Sequence, residues 1–229
     1  LVLADICMFY PLEQQLTICR NGGCLMKILN SKQGSHRWLQ SRLGRPSASN
    51  FDKLITTTGN PSSSAEQYIN RLIAEKLTGQ SAPHFVSDAM TRGTELEPEA
   101  KMYFEMSHPV TCGETGFILD DSGDFGCSPD LVIYDSTEDT IIGGCEIKVP
   151  LDHTHVANMR RQLMPKKYYQ QVQGCMMICE VDTWHFMSYS PVMEAMVVEV
   201  KRDDEFIKKL SGAVQLAVEI IKSEVKRLS

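Results

Sequence analysis

Asp130, Glu146 and Lys148 are the residues of this chain whose types and spacing could do chemistry. They stand in Gly126-Cys127-Ser128-Pro129-Asp130 and, after a short gap, Cys145-Glu146-Ile147-Lys148 at the end of a second apolar run. Two carboxylates and an amine delivered by adjacent strands suit divalent-metal hydrolysis of a phosphodiester. A hard cation such as Mg²⁺ takes oxygen ligands, keeps several waters, and is usually held by one or two protein carboxylates plus substrate phosphate oxygens. Glu146 and Lys148 are two apart, so on a strand they share a face while Ile147 points into the opposite layer. The acid and the amine then share one site.

A bare Glu-x-Lys is expected about once by chance in a chain of this composition, and the structural alternative is a salt bridge. Context argues for chemistry. The Ser-Pro-Asp turn opens Leu131-Val132-Ile133-Tyr134, Ile141-Ile142-Gly143-Gly144 leads into Glu146, and both runs have the β-branched character of strands. A charged pair ending an otherwise buried strand needs a reason, because an unpaired buried charge is expensive.

The elements that must position these residues follow from periodicity. Trp38 to Gly44 reads as a first helix, with a second starting after the hydroxyl-rich Pro46-Ser47-Ala48-Ser49-Asn50 at Phe51. Ser62 to Ser64 cap a third, with Tyr68, Leu72, Ile73 and Leu77 on one stripe up to Gly79. A fourth covers about 87–106. The period then changes, and 110–119, 127–134 and 140–149 read as strands. A helix runs from Pro165 to about Cys179, placing Tyr168 and Gln171 together on one face. Strands at 183–190 and 195–201 precede a last helix from Asp203 to about Arg227. This order of elements makes an α/β layer fold with a central mixed β-sheet flanked by α-helices.

With 229 residues, 42% hydrophobic and 23% charged, the chain fits one large globular domain. Residues 1–25 read unlike the rest, as a leader or appended segment ahead of Met26, leaving 26–229 as a single domain. No run approaches a membrane span. The eight cysteines include no Cys-x-x-Cys pair, which argues against a zinc ribbon and for reduced, packed thiols in a cytoplasmic protein. A net charge of −6 is the wrong sign for a protein that coats nucleic acid indiscriminately. Any DNA contact must be local. Arg160, Arg161, Lys166 and Lys167 form the densest basic group after the motif, and from charge alone it serves equally as a DNA contact or a solvated loop.

With Trp38, Arg42, Ser49, Gly93, Glu97, Ser128-Pro129-Asp130, Glu146-Ile147-Lys148 and Gln171-Val172-Gln173 in this order, the chain resembles the bacteriophage lambda exonuclease family. That family is the viral recombinase branch of the restriction-endonuclease-like PD-(D/E)XK nucleases. The match runs from about residue 36 to the C-terminal helix. It implies a restriction-endonuclease-like core, a ring-shaped homotrimer, and Mg²⁺-dependent 5′-to-3′ digestion of one strand of double-stranded DNA. The remaining 3′ single-stranded tail would serve a single-strand annealing recombination protein in a phage- or prophage-bearing bacterial host.

Carried over by position, the resemblance makes Asp130 and Glu146 the metal-binding carboxylates for two Mg²⁺ ions, with Mn²⁺ able to substitute. The Ile147 backbone carbonyl is an additional ligand, and Lys148 orients or deprotonates the attacking water. Glu97 completes the acidic cluster, although Thr94-x-x-Glu97 also matches a capping box. A second constellation holds the 5′ phosphate. Arg42 offers a planar fork, Ser49 adds a hydroxyl near a helix N-terminus, and by resemblance Ser128 and Gln171 join them. The alternatives are an ordinary N-cap for Ser49 and a solvent-facing residue for Gln171.

His153-x-His155 could chelate a metal, but its place past Pro150 favours a loop. Cys175 and Cys179 lie one helical turn apart, where packing is the default. The cysteine cluster of iron–sulfur relatives is missing, and no Gly-rich phosphate loop is present, so digestion should need no ATP. Two rivals stand beside the exonuclease: a structure-specific or restriction-type endonuclease on the same fold, and a catalytically silent DNA-binding subunit.

Overall fold

Strands gather into two sheets because the chain twice breaks a run that reads as continuous in sequence. The structure is a computed structural model and describes residues 16–21, 24–81, 87–137 and 140–229. In the smaller sheet a hairpin of β1 (Leu16–Asn21) and β2 (Cys24–Leu29) pairs through β2 with β4 (Phe117–Leu119), which pairs with β5 (Gly126–Cys127). The larger sheet has the order β3-β6-β7-β8-β9. Its strands are β3 (Thr111–Gly113), β6 (Leu131–Tyr134), β7 (Ile141–Lys148), β8 (Thr183–Ser190) and β9 (Met193–Lys201). All neighbours are antiparallel except β7 and β8. The sheet is mixed, as expected.

The run expected as one strand over 110–119 divides between the sheets at Glu114–Gly116. A side chain at Gly116 would collide with the backbone of Leu29 and Ser31, so glycine permits the crossing. The run expected over 127–134 divides at Ser128-Pro129-Asp130, because Pro129 has no N–H with which to continue a ladder. The boundary expected between residues 25 and 26 falls inside β2, and 16–21 form its hairpin partner. Residues 1–15 lie outside the described residues.

Helices cover both faces of the large sheet. On one side α3 (Asp88–Ser107) lays Ala100 and Phe104 against Leu131, Ile133, Cys145, Ile147 and Met187. On the other, α2 (Ala65–Thr78), α5 (Tyr169–Cys179) and α6 (Asp204–Leu228) enclose a core that includes Leu72, Val172, Met176, Trp184, Leu210 and Val214. The α6 stripe is apolar on one face, its N-cap Asp203 accepts from the Phe206 N–H, and basic Lys226 and Arg227 occupy its last turn. No helix among the described residues is long and apolar enough to cross a membrane. Cys127, Cys145 and Cys175 are buried free thiols, and burial pushes Cys127 and Cys145 well above the ordinary thiol range, so they pack as small neutral groups.

Two local expectations are corrected. The helix expected from Phe51 is a short 3-10 helix, Ala48–Lys53, following α1 (His36–Arg42). The loop expected around His153 and His155 is α4 (Asp152–Arg161). This helix lacks an apolar stripe because its buried face is polar: His155 and Asn158 reach the Ser188 hydroxyl at 2.9 and 3.1 Å, and the other His155 nitrogen meets the Glu194 carbonyl at 3.0 Å. His155 and Asn158 thus fasten α4 to β8 and β9 and are satisfied core groups. Together α4, a 3-10 turn at Lys166–Tyr168 and α5 make the crossover that a parallel β7–β8 pair requires.

Gly174 of α5 holds the 3-10 helix in place by having no side chain. A Cβ there would stand 2.6 Å from the Phe51 ring and 3.3 Å from Ala48. Gly174→Ala is therefore expected to destabilise the fold by about 1–3 kcal/mol through overpacking, despite alanine's better helix propensity. Urea unfolding of the variant checks this, and unchanged stability would mean that the 3-10 helix yields freely.

Candidate active site

The ladder between β6 and β7 stops at the pair Leu131 and Cys145, while the parallel β7–β8 pairing continues to Lys148. Glu146, Ile147 and Lys148 therefore remain anchored on the β8 side and open toward the turn that carries Asp130. There the Ile147 N–H donates to Asp130 Oδ2 at 2.7 Å. Continuing the register by two residues sets Pro129 across from Ile147. A strand residue turns its N–H and C=O toward the same neighbour, so the Ile147 carbonyl faces that side, where proline offers no N–H. Pro129's own carbonyl accepts from Gln33 Nε2 at 2.8 Å.

Glu146 is fully buried. Its Oε1 accepts from Gln171 Nε2 at 2.7 Å and pairs with the Lys148 ammonium, whereas its Oε2 is buried without a hydrogen-bond partner. A buried carboxylate oxygen left unpaired costs free energy, and an oxygen-seeking cation would remove that cost. Burial, and then the neighbouring Glu146 charge, push the Asp130 carboxyl up to about 7. Burial works against the Lys148 charge, but Glu146 and Asp130 outweigh it and hold the ammonium well above the ordinary lysine range. Lys148 is thus a fixed cation here, suited to orienting an anion or a water.

Glu97 lies in the middle of α3, ten residues past the N-cap Ser87, so it cannot close a capping box with Thr94. The Thr94 hydroxyl instead donates to the Met90 carbonyl at 3.1 Å. Glu97 pairs with Lys101 at 2.7 Å, and its charge adds to the upward push on Asp130. It stands at the rim of the carboxylate pair. From the same helix Arg92 donates to the Val149 and Pro150 carbonyls at 3.3 and 3.0 Å, bracing the turn that leaves Lys148.

The second constellation assembles around Arg42. Its guanidinium stacks 4.3 Å from the Trp38 ring centroid and donates to the hydroxyls of Ser128 at 3.2 Å, Ser47 at 3.2 Å and Ser49 at 3.1 Å. Trp38 Nε1 donates to the same Ser128 hydroxyl at 2.9 Å. Burial pulls Arg42 below the ordinary arginine value, yet a guanidinium stays charged. Its hydrogen-bond partners Ser128, Ser47 and Ser49 are neutral hydroxyls, which a phosphate would outcompete as an acceptor. Gln171, expected beside the terminal phosphate, donates its amide to Glu146 Oε1 at 2.7 Å and so stands next to the carboxylates. Ser47 and Trp38 were not singled out for this pocket, although the i, i+4 spacing of Trp38 and Arg42 on one helix and the Ser47-x-Ser49 pair were visible signals.

Among the described residues no three histidine, cysteine or acidic side chains converge as a metal cage. Two carboxylates and one carbonyl fit a hard dication that completes its shell with water and substrate oxygens, and the unpartnered Glu146 Oε2 is where such a fit is most direct.

A fold of helices on both faces of a mixed sheet, with an acidic pair and a lysine at a strand end, defines the class to which this chain compares. The model of the YqaJ-like viral recombinase domain matches residues 37–182, a span that holds every residue of both constellations. The chain belongs to this family. It is similar to the alkaline exonuclease LHK-Exo of Laribacter hongkongensis, at 28% identity and a TM-score of 0.73 over 85% of this chain and 96% of that chain. The complex of LHK-Exo with dAMP matches at 27% identity and a TM-score of 0.74, with the same coverage. A phage related exonuclease from Haemophilus somnus 129PT shares the fold at 15% identity, with a TM-score of 0.61 over 81% of this chain and 96% of that chain. No curated protein matches the chain significantly.

Proposed function

We propose that this protein is a Mg²⁺-dependent exonuclease that degrades one strand of double-stranded DNA from its 5′ end, leaving 3′ tails for phage-type recombination. The observation that carries this reading is the meeting of Asp130, Glu146 and Lys148 at one strand end, with an orphaned carboxylate oxygen and a carboxyl raised to about 7. Asp130, Glu146 and the Ile147 carbonyl would hold two Mg²⁺ ions, or Mn²⁺ in their place. When bound, the ions supply a nucleophilic water at neutral pH and neutralise charge on the scissile phosphate. Lys148 orients that water from the protein side. Glu97 and Gln171 steady the acidic cluster, Gln171 by fixing the Glu146 rotamer. Among the rivals, the endonuclease lacks a use for the Arg42 pocket and the silent subunit lacks a use for an intact acidic pair.

Arg42, with Ser49 and Ser128, is the terminal-phosphate anchor, and this gives the polarity. The alkaline exonuclease relative supports an enzyme that works from ends. A homotrimeric ring threaded by the duplex, a single-strand annealing partner and a cytoplasmic place in the bacterial host complete the proposal. Time-resolved digestion of linear duplexes carrying 5′ phosphate or 5′ hydroxyl, with Mg²⁺ or chelator and with an intact circle as control, tests it. Loss of the phosphorylated strand from its 5′ end is expected, with the circle surviving. Rapid nicking of the circle would establish an endonuclease, and no Mg²⁺-dependent degradation would leave only DNA binding.

Arg42→Ala is expected to erase most of the preference for phosphorylated ends. Charge-assisted hydrogen bonds contribute about 1.5–3 kcal/mol, so roughly 10- to 100-fold in relative kcat/KM should be lost. An unchanged phosphate-to-hydroxyl ratio in this variant would remove Arg42 from the anchor.

A further inference from the structure

The sheet order puts β6 on one side of β7 and β8 on the other. The Arg42 pocket reaches the carboxylates through Ser128, from the β6 side. On the β8 side lies a pocket of about 270 Å³ whose walls include Lys148, His153, Thr154, Arg161, Lys167 and Tyr168. No carboxylate is among its lining residues. In a chain of net charge −6, a cavity lined by three basic side chains and no acid selects anions.

Its floor is an aromatic ring. Tyr168 stacks on Phe186 with centroids 5.2 Å apart and an interplanar angle of 27°, and the ammonium groups of Lys167 and Lys148 stand 4.8 and 5.5 Å from its centroid. Glu146 and Phe186 are register partners in the parallel pair, so Tyr168 sits on the same face of the sheet as the catalytic carboxylate. The far wall is α4, pinned through buried His155, Asn158 and Ser188. The cavity is therefore prebuilt, and its size is below the ~300–1,000 Å³ of drug-sized ligand sites. It suits one nucleotide unit of a single strand and is too small for a duplex.

We propose that this pocket is a second backbone subsite, which takes the nucleotide on the 3′ side of the scissile bond, its phosphate on Arg161 and Lys167 and its sugar or base against Tyr168. The assignment rests on the reading of Asp130, Glu146 and Lys148 as the cleavage centre and of Arg42 as the terminal-phosphate anchor. The cut strand then crosses β7 from Arg42, past the carboxylates, to Tyr168. Such a path lets the enzyme keep hold of the retained strand after each mononucleotide leaves. Stacking on an aromatic ring accepts any base, consistent with digestion through arbitrary sequence.

The test uses the whole 229-residue chain and the paired substitution Arg161→Ala with Lys167→Ala, both at exposed side chains. Binding of fluorescent duplexes with 5′-phosphate or 5′-hydroxyl ends is measured in Ca²⁺, and digestion in Mg²⁺, across a salt series. The double variant should bind both kinds of end about 10-fold or more weakly, raise KM with a smaller change in kcat, and flatten the dependence of log affinity on log salt by about 1–2. Its 5′-phosphate preference should persist. Tyr168→Phe should retain binding, and Tyr168→Ala should lose it several-fold. Wild-type affinity and salt slope in the double variant would overturn the subsite. If Arg42→Ala still removed the phosphate preference in that case, the exonuclease reading would stand without it; absence of digestion by the wild type would instead sink that reading.

Discussion

Glu146→Gln is expected to lower strand degradation by about 10³-fold, roughly 4 kcal/mol of barrier, while DNA ends bind as tightly as to the wild type or tighter. The amide keeps the volume of the side chain and can still accept from Gln171, whose bond to Oε1 is 2.7 Å. It removes the charge that a hard cation needs and that Lys148 faces. Tighter binding is expected because one of the two negative charges opposing the DNA phosphates is gone. Single-turnover digestion and end-binding titrations on one preparation check both halves of the prediction.

The same variant separates chemistry from the structural alternative of a salt bridge. If Glu146 served only as a partner for Lys148, removing its charge would leave a half-buried ammonium less satisfied, so stability would fall and activity would follow only the folded fraction. Under the cleavage reading, activity collapses far beyond any loss in the folded fraction. Glu146 has one oxygen with two partners and another with none, a distribution poorly explained by a bridge selected for stability alone. Unimpaired cleavage by folded Glu146→Gln protein would take the residue out of the mechanism.

The parts of the site legible in the sequence were those governed by period. Glu146 and Lys148 share a face because a strand alternates, and β7 is long enough, at Ile141–Lys148, for that alternation to be plain. The stripes of α2, α5 and α6 were visible for the same reason. What periodicity could not show is where a polar group replaces an apolar contact. Helix α4 was missed because His155 and Asn158 are its buried face, held by hydroxyl and carbonyl groups on strands some thirty to forty residues away. The division of 127–134 between two sheets was marked by Pro129, whose lack of an N–H ends the ladder and leaves the Ile147 edge open. Helical spacing gives the face of α5 on which Gln171 lies but not which strand residue that face meets, so its bond to Glu146 was not visible in the sequence. The pairing of Arg42 with Ser128 joins segments 86 residues apart, and only the family resemblance pointed to it.

Stability of the metal-free protein is expected to fall as pH rises from about 4 toward 7, and Asp130→Asn should flatten that slope. Asp130 has an ordinary value of 3.8 and is held at about 7 in the fold, by burial first and the Glu146 charge second. Between those values the folded protein binds a proton that the unfolded chain has released, so its contribution to stability is complete below about 4 and lost as pH passes 7. Each kcal/mol corresponds to about 2–4 °C in Tm for a chain of this size, which makes a difference of a few degrees between wild type and variant measurable. Metal binding must displace this proton. The rise in Tm caused by Mg²⁺ should therefore be larger at pH 8 than at pH 6, and nearly absent in Asp130→Asn. Thermal melts of both proteins across pH 5–8, with chelator and with Mg²⁺, supply the comparison. Parallel profiles for the two proteins would mean that Asp130 carries no such proton, and the electrostatic case for a cation between it and Glu146 would fail.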